Sequence, residues 1–155
     1  MALPNKGVRL AIDVGTTRIG VARCDREHLL AVPVQTVSAG DSAILEISQI
    51  AKELQAELIY VGKPVSLGDR HTISTEMAIQ FALELQGESE IPVRLLDERL
   101  TSVSAQTKLH ESGKKAKDFK SVIDQVAAVI LLDHAMAIEK TTGTLAGESV
   151  TDRQV

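Results

Sequence analysis

Residues 9–25 read RLAIDVGTTRIGVARCD and hold two apolar, β-prone runs separated by a Gly-Thr-Thr turn. The first run, VRLAIDV over residues 8–14, is apolar enough to form a central strand that is buried on both faces. Asp13 stands near the end of this run, where burial favours another apolar side chain. Because a carboxylate needs a partner in such a place, Asp13 is the first candidate functional residue.

The periodicity along the rest of the chain predicts an α/β fold. Two further runs, RIGVARCD and LLAVPVQTV, complete an antiparallel meander, and Pro33 places the third strand at an edge. Helical and strand-like segments then alternate, with helices that begin at residue 41 or 42 and span 74–85, 101–112 and 121–139, and strands at 56–62 and 91–99. The order βββαβαβαα predicts a five-stranded mixed sheet with helices on both faces.

Length and composition limit the class of protein. The 155 residues suffice for one core, so residues 1–140 are expected to form one domain. Residues 141–155 are rich in Thr, Gly and charge and lack periodicity, so a disordered tail is expected there. The net charge of −4 excludes nucleic-acid binding by bulk charge. A single cysteine, no apparent signal peptide and no long apolar run predict a cytoplasmic protein without membrane contact.

Three acidic residues are predicted to meet at one edge of the sheet. Ligands of open α/β sheets gather at the carboxyl ends of the central strands. Asp13 lies near the end of the first strand, and Glu98 lies just past the end of the last one. Asp124 lies in the first turn of the last predicted helix, on its apolar face. Because acids that meet repel each other, we expect Mg²⁺ or Mn²⁺ among them, as two ions that together promote phosphodiester hydrolysis.

Each acid also has a structural interpretation that the sequence leaves open. Asp13 could cap the turn that follows it, as Asp commonly does before Gly. Glu98 could form a surface ion pair with a neighbouring arginine. Asp124 fits a capping box, Ser121-x-x-Asp124, and would gain from the helix dipole there.

Four motifs together resemble the YqgF/RuvX family of Holliday-junction-resolvase-like nucleases. They are IDVGTTRIGVA (12–22), IYVGKP (59–64), LLDERLTSVSA (95–105) and VIDQVAAVILL (122–132), and they occur in the family's order. One departure is Lys63, which stands where family members commonly have Leu in Gly-Leu-Pro.

The resemblance implies an RNase H-like fold, with Asp13, Glu98 and Asp124 as the catalytic and metal-binding acids. It also implies a hydrolase that processes the 5′ end of pre-16S rRNA during ribosome biogenesis, in contact with the precursor of the small ribosomal subunit. The metal chemistry of hydrolysis is the same for RNA and DNA phosphodiesters, so a resolvase-like endonuclease that acts on branched DNA remains an alternative. A non-catalytic RNA-binding assembly factor is a further alternative. Either a monomer or a homodimer is compatible with the sequence.

Basic residues near the predicted acids are candidate phosphate contacts. The segment KLHESGKKAKDFK (108–120) has five lysines and two acids, which gives a local charge of +3 just before Asp124. Phosphate contacts position a nucleic acid without reading its sequence, so we expect recognition of shape. The predicted substrate-binding residues are Arg18, Lys63, Arg99, Lys114, Lys115 and Lys117.

Overall fold

The computed structural model describes residues 7–64, 72–97 and 116–150. Strands and helices alternate along the chain much as the periodicity predicts. The strands are β1 (Val8–Val14), β2 (Arg18–Cys24), β3 (Ala31–Ser38), β4 (Ala56–Lys63), β5 (Val93–Asp97) and β6 (Glu148–Ser149). The helices are α1 (Ala43–Glu53), α2 (Ile73–Ser89) and α3 (Ala116–Thr142).

The strands form one mixed sheet in the order β3-β2-β1-β4-β5-β6. β1, β2 and β3 pair antiparallel, which confirms the predicted meander, and β3 with its Pro33 lies at an edge as expected. β1, β4 and β5 run parallel, so their carboxyl ends lie at the same edge of the sheet. The described sheet has six strands rather than the predicted five, because β6 pairs with β5.

Helices cover both faces of the sheet, as the sequence predicts. Leu10 and Ile12 of β1 pack in a core with residues of α1 and α2. Ala11, between them, packs in a second core with Leu131 and Ala135 of α3. Because side chains alternate along a strand, odd-numbered residues of β1 face α3 and even-numbered residues face α1 and α2.

The segment after α3 belongs to the fold, so the expected disordered tail is wrong for residues 141–150. Arg94 of β5 donates hydrogen bonds to the carbonyls of Ala146 (2.6 Å) and Gly147 (2.8 Å). Gly147 has φ +64°, and a Cβ there would lie 2.1 Å from the Leu95 carbonyl oxygen, so only glycine fits this approach. Val150 is fully buried in the α1–α2 core. Residues 151–155 lie outside the described residues.

Two helix boundaries also differ from the prediction. α2 passes through Gly87 and ends at Ser89, and its C-cap residue Glu90 is left-handed with φ 61°. α3 begins at Ala116 rather than near Ser121, so the end of the lysine-rich segment 108–120 is helical. The predicted helix over 101–112 lies outside the described residues. Within the described ranges, no helix is both long and apolar enough to cross a membrane.

A buried ion pair ties α3 to β1. Arg9 is 0% exposed, and its Nε and Nη2 donate to the Glu139 carboxylate at 2.9 Å each. The Tyr60 hydroxyl donates to Glu139 Oε2 at 2.5 Å and accepts from the Ala146 N–H at 3.2 Å. Burial and the hydrogen bond to Glu139 raise the pKa of Tyr60 well above its usual range, so the phenol stays a donor. Glu139 is therefore neutralised from one side and hydrogen-bonded from the other.

We predict that Arg9→Met lowers the free energy of unfolding by about 3–5 kcal/mol, because it leaves the Glu139 carboxylate buried without its cation. Urea denaturation measures the change. The double variant Arg9→Met/Glu139→Leu should recover most of the loss, since an apolar pair replaces the ion pair. A single variant within about 1 kcal/mol of the unmodified protein would contradict this role for the pair.

Candidate functional site

Asp13 is the sixth residue of β1, and it faces α3. Arg9 and Ala11, the preceding odd-numbered residues, both contact residues of α3 or of the core beneath it. Asp13 lies directly opposite Gly20 in the antiparallel pair of β1 and β2, and opposed residues share a face of the sheet. The carboxylate thus lies on the α3 face, close to the carboxyl end of its strand.

α3 approaches this part of the sheet at van der Waals contact with the backbone. A Cβ built on Gly20 would lie 1.9 Å from the Asp124 carbonyl oxygen and 2.3 Å from its carbonyl carbon. No larger residue fits there unless α3 moves away, so Gly20 sets the depth at which the helix lies on β2. Gly20 contacts Asp124 and is also the cross-strand partner of Asp13. The two predicted acids are therefore brought to neighbouring positions on one face.

Asp124 is the ninth residue of α3, because the helix begins at Ala116. It lies in the third turn, so the alternative of a capping box with Ser121 is wrong. Its Oδ2 accepts from Arg18 Nε at 2.9 Å. The Asp124 side chain is only 17% exposed, so its carboxylate lies mainly against the protein rather than in solvent.

Arg18 lies at the start of β2 on the α3 face, in the same alternating series as Gly20 and Ala22. The sequence predicts it as a phosphate contact, and the structure gives it a partner in Asp124. An arginine on a carboxylate fixes the orientation of that carboxylate and offsets its charge. Asp13, Arg18 and Asp124 form a group that we call the α3-face cluster.

Lys63 lies elsewhere. Ile59 and Val61 of β4 pack toward α1 and α2, so Lys63, two residues on, leaves the sheet on that side. Its Nζ forms a 2.9 Å ion pair with Glu148 of β6. The structure therefore does not bring Lys63 to the α3-face cluster, and its contact joins β4 to the C-terminal strand.

Of the remaining predicted residues, only Lys117 lies within the described ranges. Glu98, Arg99, Lys114 and Lys115 lie outside the described residues. Lys117 lies on the first turn of α3. Within the described residues there is no group of three or more His, Cys, Asp or Glu side chains arranged to hold a metal ion.

The sequence analysis did not single out two residues that shape this site. Gly20 gives no signal of its own, because a glycine in an apolar run does not reveal which element packs on it. Glu139 had a signal, since it follows Leu131 and Ala135 at four-residue spacing and therefore lies on the buried face of α3. Arg9 occupies the matching position on the α3 face of β1.

The sequence matches a known protein family. Residues 7–138 match the model of the family described as RuvX, Holliday junction resolvase. A Clavibacter michiganensis protein named "Putative pre-16S rRNA nuclease" is 47% identical over 152 residues, which cover 96% of this chain and 94% of the relative. Proteins of the same name from Mycobacterium leprae and Streptomyces coelicolor are 44% and 43% identical and cover 95% and 94% of this chain.

The fold is also that of a solved structure of RuvC. The structure of Thermus thermophilus RuvC in complex with a Holliday junction substrate superposes with a TM-score of 0.58, covering 92% of this chain and 99% of RuvC. At 17% sequence identity this likeness concerns the fold alone. It confirms the predicted RNase H-like architecture.

We predict that Gly20→Ala destabilises the protein by about 1–3 kcal/mol, because the added methyl forces α3 away from β2. Thermal denaturation measures the effect. Gly87→Ala is the matched control, since a Cβ there meets no atom within 4 Å and lies inside a helix, where Ala is favoured over Gly. Equal stability of the two variants would show that Gly20 does not limit the approach of α3.

Proposed function

The chain belongs to the RuvX family of Holliday junction resolvases, and we propose that it is a metal-dependent nuclease that processes the 5′ end of pre-16S rRNA. The observation that carries the proposal is the α3-face cluster, in which two acids remote in sequence lie on one face at the carboxyl edge of the sheet. Rigid strand backbone holds Asp13, and the Gly20 contact holds Asp124.

The residues present suit a divalent cation of the magnesium type. Mg²⁺ binds through one or two protein carboxylates together with waters and phosphate oxygens of the substrate, rather than in an all-protein cage. Asp13 and Asp124 supply two such carboxylates, and Glu98 is the third ligand that we propose. We propose Mg²⁺ or Mn²⁺ as the physiological metal, with two ions bound. When bound, they would supply an activated water and stabilise the leaving oxygen of the phosphodiester.

The protein's own contribution is to place and orient these ligands. Asp13 is held in a strand that pairs with β2 over Leu10–Val14, Asp13 included, and with β4 over Val8–Ile12. Arg18 holds one oxygen of Asp124 at 2.9 Å, which restricts rotation of the carboxylate. The Arg18 guanidinium also places a positive charge near the site of the scissile phosphate, where it would offset the substrate's charge.

Substrate binding beyond the acids is assigned to the lysine-rich segment before Asp124. Lys114, Lys115 and Lys117 immediately precede or begin α3, the helix that carries Asp124. Together with Arg99 they would contact phosphates of a structured RNA. Such contacts give affinity and register without base readout.

We predict that Asp13→Asn and Asp124→Asn each reduce cleavage of a pre-16S rRNA 5′-end substrate at least about hundredfold in Mg²⁺ or Mn²⁺, because each removes a charged ligand. Initial rates of cleavage at saturating metal measure the reduction. Asp133→Asn is the matched control, since this exposed acid lies on the same helix.

Three outcomes distinguish the alternatives. Cleavage of a four-way DNA junction but not of the rRNA precursor would replace the proposed substrate with branched DNA. RNA binding that persists in chelator, with no cleavage in any metal, would identify a non-catalytic assembly factor. Full activity of both asparagine variants would contradict the role of the α3-face cluster.

We also predict that Lys114→Gln, Lys115→Gln and Lys117→Gln, combined, weaken binding of the rRNA precursor and flatten its salt dependence. The slope of log K against log salt should fall by about 0.7–0.9 for each phosphate that is no longer neutralised by a lysine. Filter binding across a salt series measures this slope in chelator, without cleavage. Lys140→Gln, an exposed lysine in the last turn of α3, should leave the slope unchanged, and an equal change in this control would contradict the assignment.

A further inference from the structure

The face of the sheet opposite the α3-face cluster has a cleft that the proposed nuclease does not use. The cleft lies between the β1–β2 turn, the start of α1 and the middle of α2, and its volume is about 410 Å³. That volume lies within the range of sites that accept a ligand or a few side chains of a partner. Its apolar lining includes Val14, Ile19, Ala43, Ile44, Met77 and Phe81.

Apolar surface continues from the cleft along α2. A second groove adjoins it and shares Met77 and Gln80, and it extends to Ile73 at the start of the helix. Ile73 is 81% exposed and Met77 is 42% exposed. A surface helix ordinarily turns such side chains toward the core. Contiguous exposed apolar surface of this kind marks an interaction site.

The rim of the cleft is acidic. Asp41 and Glu84 line the cleft, and Glu76 lines the adjoining groove. α2 has three glutamates and no lysine or arginine in its 17 residues. Negative charge on this scale repels phosphate, so the cleft does not extend the nucleic-acid surface. Apolar residues surrounded by carboxylates instead suit a segment with apolar and basic side chains.

We propose that this cleft docks a basic amphipathic segment of a partner protein, with one or two apolar side chains inserted between Ile44, Met77 and Phe81. Its lysines or arginines would pair with Asp41 and Glu84 at the rim. This is the helix-in-groove mode, in which apolar anchors give affinity and flanking charges give orientation. The two faces of the sheet then have separate tasks, one toward nucleic acid and the other toward protein.

A second copy of the chain is a poorer occupant for an electrostatic reason. A two-fold symmetric dimer pairs the same patch on both subunits. Such a contact would set the acidic rim of one subunit, with its Asp41 and Glu84, against the identical rim of the other. Like charges facing each other across an interface are unfavourable.

Binding of a fluorescein-labelled amphipathic peptide of leucine and lysine, followed by anisotropy, tests the proposal. We expect saturable binding that weakens at least about tenfold on Glu84→Lys and on Met77→Lys, and that weakens as salt is raised. Two matched controls separate the site from general attraction to an acidic protein. Glu53→Lys matches Glu84→Lys, because it reverses a charge at the far end of α1. Leu29→Lys matches Met77→Lys, because it replaces an exposed apolar residue of the β2–β3 turn by lysine.

Each other result overturns the proposal. Equal weakening in the controls would show that general electrostatic attraction accounts for the binding. Equally tight binding of an acidic peptide of leucine and glutamate would show that the acidic rim does not select the partner. Concentration-dependent dimerisation that Met77→Lys abolishes would identify a second copy as the occupant. Met77→Ala, which removes apolar surface without adding charge, must also weaken binding. Circular dichroism checks that every variant is folded, and unchanged nuclease rates keep this test independent of the proposed function.

Discussion

The close approach of α3 to the sheet at Gly20 is the constraint on which the site depends. Only a residue without a side chain lets the Asp124 backbone lie against β2, and the strand partner of that same glycine is Asp13. If α3 lay further from the sheet by the width of a side chain, Asp124 would move away from the face of β1 on which Asp13 lies. A single glycine thus brings two acids, far apart in the chain, to one surface, where Arg18 offsets the charge of Asp124.

A second contact fixes α3 toward its other end. The pair of Arg9 and Glu139 is almost completely buried, and an ion pair in that setting contributes little net stability relative to an apolar pair. Its effect lies instead in geometry, because a buried carboxylate that must meet both Arg9 and Tyr60 tolerates only one placement of the helix along the sheet. We interpret the pair as the device that sets the register of α3, which in turn places Asp124.

Much of this arrangement could be predicted from the sequence, and the exceptions share a cause. Alternating and helical periodicity reports which face of an element is buried, so the meander, the parallel strands and the position of Asp13 followed directly. Features created by backbone contacts leave no such pattern. The polar composition of the C-terminal segment predicts disorder, yet Arg94 binds its backbone carbonyls. Every residue has a backbone carbonyl, so the sequence does not show which ones are bound. The helix likewise begins at Ala116, before its apolar pattern becomes visible.

The two faces of the sheet differ in what they can bind. One presents Asp13 and Asp124, with Arg18 paired to Asp124, and the other an apolar cleft with carboxylates at its rim. The proposed chemistry requires that the two acids of the first face hold a cation jointly. Anomalous diffraction from a crystal grown with Mn²⁺ measures where that cation binds. We expect an anomalous peak within coordination distance of both Asp13 and Asp124, whereas a peak bound to neither acid, or to one alone, would rule out joint binding.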